Sequence, residues 1–174
     1  MEQSSARWWT AALIMQMLIV LYWEVTESVD LFPFNDVRRN HWRDSVSASL
    51  ANDVPRLLIL AVFWFARNQW QRKWYRFFLF SAGVYYLVFL GLQIRVWYPR
   101  YLWGATPEEA KAYAEKFVQT IKLLPTYGNH LPPDLQHHVL QLMTVAIIVV
   151  MFVLAGKLGR TESIVREQTH RIVG

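Results

Sequence analysis

The chain has 174 residues, 54% of them hydrophobic and 16% aromatic, with nine Trp among them. A soluble domain of that length has too little interior to hide so much apolar surface, so lipid is the expected solvent for most of it. The formal charge is +5, but the basic residues stand at the ends of apolar runs, as membrane topology signals do, so nucleic acid is not the expected partner. The absence of cysteine excludes disulfides, thiolate chemistry, cysteine-ligated iron–sulfur clusters and haem attached through Cys.

The first apolar run, Trp8 to Trp23 within an expected span of about 8–27, contains AALIMQMLIVLYW, with Gln16 its one strongly polar interruption. It is long for a signal core. Glu24 to Glu27 follow it where a small-residue cleavage site would stand, so it is expected to be retained as the first span. Residues 28–54 mix charges with Pro33 and are expected to form an outer loop carrying a short surface helix. The second span, 55–70, is expected to open at Pro55, a residue suited to a first helical turn, with Arg56 and Arg67 snorkelling from its ends. A short basic connection then leads to the third span, 77–98, where Ser81, Ala82 and Gly83 permit close helix approach.

Residues 99–135 form the second outer loop. Within it, Thr106-Pro-Glu-Glu109 has the signature of a capping box with Pro at the first helical position. Ala110, Tyr113, Phe117, Ile121 and Leu124 recur at helical spacing, which predicts an amphipathic helix lying at the interface or capping the bundle, ended by Pro125 and Gly128. The fourth span, 136–158, completes the expected architecture: an all-α integral membrane protein, one domain, a bundle of four transmembrane helices with an interfacial helix between the third and fourth.

Four spans put both termini and the 67–76 connection on one side. That side carries Arg7, Arg67, Arg72, Lys73, Arg76, Lys157, Arg160, Arg166 and Arg171 against Glu2, Glu162 and Glu167. The density of positive charge near the span ends predicts cytoplasmic termini, in a cell or inner membrane.

Polar residues collect at the outer ends of the spans. Glu24, Glu27 and Asp30 are three apart on the first helix and its continuation, Gln93 and Arg95 end the third span, and Gln141 and Thr144 run down the fourth. Charges at that depth are expensive unless paired or hydrated, so these residues outline a polar pocket open to the outer side. Alternatively, the carboxylates lie at headgroup level and Arg95 pairs with one of them to fix helix packing.

A second cluster, Asn129-His-Leu-Pro-Pro-Asp-Leu-Gln-His-His138, places Asp134 and His138 four apart on a helical face, with His130 and His137 nearby. Together with His41 in the first loop, these ligand types suit Zn, Cu or Fe. The competing reading has Asp134 capping the fourth helix with the histidines in an aqueous interface. Nucleophile elbows, phosphate loops and dinucleotide fingerprints are all missing. The leading expectation is therefore a non-catalytic membrane subunit, a structural or binding module of a larger membrane complex. The alternative is an enzyme or transporter component that uses the outer pocket.

Overall fold

The computed structural model describes residues 3–37, 42–69 and 72–173, with side chains over 5–37, 46, 47, 50–69 and 72–159. The protein is helical: α1 (Gln3–Ser28), α2 (Trp42–Phe65), α3 (Lys73–Leu102), α4 (Pro107–Lys116) and α5 (Leu135–Val173). Stretches of α1 (Ser5–Ser28) and α5 (Leu135–Gly159), and the whole of α3, are long and apolar enough to cross a membrane. Among the described residues these are the three helices of that length and composition.

The expected span 55–70 and the expected loop 28–54 both need correction. α2 begins at Trp42 and runs through Pro55 to Phe65, and a single 3₁₀ turn, Arg67–Gln69, follows it. Proline removes one N–H and crowds the preceding turn, so it reads as a helix start. Here the apolar spacing on either side overrides it. Val46, Leu50, Val54, Leu57, Leu58, Val62 and Phe65 recur every three or four residues and form one exposed file along the helix. The opposite face buries Asp53, Arg56 and Phe63. Pro99 is a second case: α3 was expected to stop at Tyr98 and continues to Leu102.

The long helices pack through one core. α5 lies against both α1 and α3, and α2 lies along α1. Ala12 and Ile19 of α1, Phe63 of α2, Tyr75, Leu79 and Tyr86 of α3, and Ile147, Met151 and Leu154 of α5 are its centre. Neighbouring helices run in opposite directions. The start of α1 meets the end of α2 and the start of α3, where the Trp9 ring stacks on Phe63 at 5.1 Å and its Nε1 donates to the Tyr75 hydroxyl at 3.2 Å. That hydroxyl donates onward to the Phe63 carbonyl at 3.3 Å. At the opposite end of α1, the Tyr22 hydroxyl donates to the Gln136 carbonyl in the first turn of α5, at 2.7 Å. The small residues of α3 act as expected: a Cβ on Gly83 would stand 3.0 Å from the Phe152 ring of α5.

A cap covers the end of the bundle where α3 stops and α5 begins. α4 starts with the capping box foreseen at Thr106 and Glu109. It ends about two turns earlier than its apolar spacing predicts, at Lys116. The Lys122 ammonium explains the stop, because it donates to the carbonyls of Phe117, Val118 and Thr120 and holds this stretch as a loop. Tyr113 and Leu131 bury against Trp97 and Ala105 in a second, smaller core. The two loops meet there, the Ile121 N–H donating to the Pro33 carbonyl at 2.9 Å.

Candidate functional site: a polar interior near the α4 cap

Arg56 is the residue that sequence reasoning misplaced. Instead of snorkelling, it is 0% exposed. Its guanidinium carbon lies 4.3 Å from the centre of the Phe89 ring on α3 and 5.2 Å from that of Trp23 on α1. A planar, weakly hydrated cation suits such a position between aromatic faces. Asp53, one turn earlier on α2, accepts from Arg56 Nη1 at 3.4 Å, and the Glu24 carboxyl of α1 is Asp53's other charged neighbour. The result is a cluster of two carboxyl groups and one arginine that joins α1 to α2, with the Phe89 ring of α3 over the guanidinium. Asp53 escaped notice because it was assigned to a loop. The available signal was its three-residue spacing to Arg56, opposite the apolar file of α2.

A second polar contact ties α3 to α5. Gln93 Nε2 donates to Thr144 Oγ1 at 3.3 Å, and the Tyr98 hydroxyl donates to Gln141 Oε1 at 3.3 Å. Three of the pocket candidates, Gln93, Gln141 and Thr144, are thus buried together between two helices. The others lie apart. Glu27 is half-buried with His137 and Lys116 as its basic neighbours, and Asp30 is exposed past the end of α1. Arg95 is exposed and opens onto an outward groove of about 320 Å³ beside Arg100 and Glu109. Glu27 and Arg95 therefore do not form the packing pair considered from the sequence. Gln141 borders a different, mostly apolar groove of about 350 Å³ beside Tyr98 and His138.

The histidine cluster is organised by Asp134, which is fully buried. Its Oδ1 accepts the His137 backbone N–H at 3.1 Å and lies 2.6 Å from His137 Nδ1, so it caps α5 and orients the ring in one arrangement. That ring packs on Trp97 at 4.4 Å. His138 Nδ1 is 3.0 Å from the Asp134 carbonyl, and His130 Nδ1 is 2.8 Å from the Tyr101 carbonyl. All three imidazoles thus use Nδ1 locally. Among the described residues no three His, Asp or Glu side chains converge as a metal would require. His41 lies outside the described residues.

Electrostatics in the cap follow from burial and pairing. The Thr106 backbone N–H and the Arg100 guanidinium, 2.9 Å away, hold the Glu109 carboxyl below its ordinary pKa. Burial lowers that of the Lys122 ammonium, against the pull of Asp134. Burial raises that of the Tyr113 phenol, whose hydroxyl donates to the Pro132 carbonyl at 2.9 Å. Asn35, which carried no signal in the sequence, is buried and organises the first loop. Its amide donates to the carbonyls of Thr26 at 2.6 Å and Val29 at 3.0 Å, and its Oδ1 accepts the Leu31 N–H at 2.7 Å.

The arrangement positions charges and amides to hold helices together. Comparison with protein-family models, with curated proteins and with solved structures finds no match to this chain.

Proposed function

We propose that the protein is a small four-span membrane subunit, a helical module that joins other membrane proteins in a larger complex, with both termini cytoplasmic. The crossing of α2 is supported by chain direction. Trp9 at the start of α1, Phe63 at the end of α2 and Tyr75 at the start of α3 are side by side. If α1 and α3 both cross, the chain has to return between them, and α2 is the segment available. Its exposed apolar file from Val46 to Phe65 is about 28 Å long at 1.5 Å per residue, against about 30 Å of hydrocarbon.

The subunit reading rests on one observation: the cap, outside the three apolar helices, exposes large apolar side chains. Trp103 is 77% exposed, and Val118, Leu123 and Tyr127 are each more than half exposed. Lipid tails account for exposed Leu and Phe along the spans, but the cap needs a different neighbour, and a partner protein supplies one. Blue-native electrophoresis after mild detergent extraction should show a species larger than the monomer with a stoichiometric companion. Leu123→Glu should release the companion and leave the unfolding temperature unchanged. A strictly monomeric protein would contradict the reading.

A second reading, a transporter component, draws on a different observation. Buried polar atoms of Gln16, Asp53, Arg56 and Tyr86 have no hydrogen-bond partner among the described residues, and a hydrated path between α1, α2 and α3 would serve them. Ion or proton flux into proteoliposomes, abolished by Gln16→Leu with the unfolding temperature kept, would support it. Proteoliposomes no leakier than protein-free vesicles would remove it.

A further inference from the structure

Gln141 is only 7% exposed, and its amide is half used. The Tyr98 hydroxyl donates to its Oε1 at 3.3 Å, while its Nε2 has no hydrogen-bond partner among the described residues. A buried amide donor without an acceptor is a cost that a ligand oxygen removes. Both residues line the groove of about 350 Å³ between α3 and α5, within the range of small-ligand pockets, roughly 300–1,000 Å³. Ile94 of α3 and Leu142 and Val145 of α5 make apolar walls, and Leu123, from the loop after α4, joins the lining at the cap end. His138 stands one turn before Gln141 on α5 and also lines the groove. Its Nδ1 lies 3.0 Å from the Asp134 carbonyl and so carries a hydrogen, which leaves Nε2 for a second contact. Among the described residues no Asp, Glu, Lys or Arg lines this groove. Lys122, next to Leu123, has its ammonium on the carbonyls of Phe117, Val118 and Thr120.

We propose that this groove binds a neutral, membrane-dissolved carbonyl compound of the lipoquinone class. A ring carbonyl oxygen would accept from Gln141 Nε2, with the His138 imidazole at the edge of the ring, and the apolar tail would run along Ile94, Leu142 and Val145. Three features select this occupant. The open donor calls for an acceptor oxygen, which a bare hydrocarbon chain lacks. A lining without a cation gives a phosphate headgroup no counter-charge, so a molecule without that headgroup fits better than a phospholipid. The walls at Leu142 and Val145 are themselves exposed on an apolar helix, so the ligand enters sideways from the bilayer. The site goes beyond the subunit reading and needs only α3, α5 and the loop above them. Its failure would leave the crossing of α2 and the partner surface untouched.

Native mass spectrometry of the detergent-purified protein, titrated with a decyl-substituted benzoquinone or with decylbenzene, tests the proposal. The quinone should be retained preferentially. Gln141→Leu should weaken its retention about tenfold, the factor carried by one net hydrogen bond, and leave decylbenzene unchanged. Val145→Trp should fill the groove and abolish quinone retention with the Gln141 amide in place and the unfolding temperature unaltered. Equal retention of the two compounds by the parent protein would overturn the proposal. So would undiminished quinone binding by both variants. Ester-linked phosphatidylcholine that displaces the quinone at equal concentration, where its ether-linked counterpart does not, would assign the amide to the ester carbonyls of bilayer lipid and overturn it as well.

Discussion

The guanidinium of Arg56 lies over the ring of Phe89, 4.3 Å from its centre, with no part of the arginine exposed. This one contact fixes which way α2 faces. With Arg56 turned toward α1 and α3, its apolar file can only face outward, and Asp53 and Glu24 close around the charge.

Removing one member of a well-buried ion pair strands the other, which costs about 3–5 kcal/mol, while replacing both is far milder. Arg56→Met should therefore strongly lower the unfolding temperature in detergent, read by Trp fluorescence. Arg56→Met with Asp53→Asn should recover part of the loss. Additive effects of the two changes would mean that the side chains do not hold α2 in place.

The Gln93–Thr144 contact is predicted to be much weaker. Hydrogen bonds between membrane helices average about 0.6 kcal/mol in double-mutant cycles, and 3.3 Å is a long bond. Gln93→Leu and Thr144→Val should couple by less than about 1 kcal/mol. A coupling as large as that at Arg56 would place the polar centre of the bundle at the wrong pair.

Asn35→Ala would leave the Thr26 and Val29 carbonyls and the Leu31 N–H without their shared partner. Stranding buried backbone groups costs about 1–3 kcal/mol each when water cannot reach them. Amide exchange at Leu31 should accelerate sharply, and that at core residues such as Ile147 should not. Unchanged protection at Leu31 would show that Asn35 does not organise this loop.

The Arg100–Glu109 pair ties α4 to α3. Because the folded pKa of Glu109 lies below its ordinary 4.5, the unfolded chain takes up the proton first as pH falls. Its contribution is present at neutral pH and is lost as pH drops from that ordinary value through the folded one. Glu109→Gln should flatten this acid limb of cap stability, measured by amide exchange in α4. Identical acid limbs for the two proteins would rule out the linkage.

Much of this architecture is legible in the sequence because lipid solvation leaves a coarse signal. Runs of twenty apolar residues mark α1, α3 and α5, and Thr106 with Glu109 marks the start of α4. The failures share a physical cause. Pro55 and Pro99 suggest boundaries, but each sits in a helix whose neighbours' packing tolerates one missing hydrogen bond. The apolar spacing through Ile121 suggests a longer α4, yet the Lys122 ammonium competes for the carbonyls that would continue it. Arg56 beside a helix start looks like a snorkelling residue, and only the facing rings of Trp23 and Phe89, distant in sequence, reveal that it is interior. In the polar cluster, Gln93, Gln141 and Thr144 are found together as their depth suggests. Glu27 is half-buried beside His137 and Lys116 while Arg95 is exposed beside Arg100 and Glu109, a difference in neighbours that depth alone does not encode.

The crossing of α2 is the claim on which the architecture depends, and single cysteines in this thiol-free chain test it. Ser28 ends α1 and Asn68 lies in the turn after α2, and both are exposed. With an impermeant thiol reagent on intact cells, Ser28→Cys should label at once and Asn68→Cys only after lysis. Labelling of both positions from the same side would contradict the account, because a helix joining two points on one side does not cross the membrane.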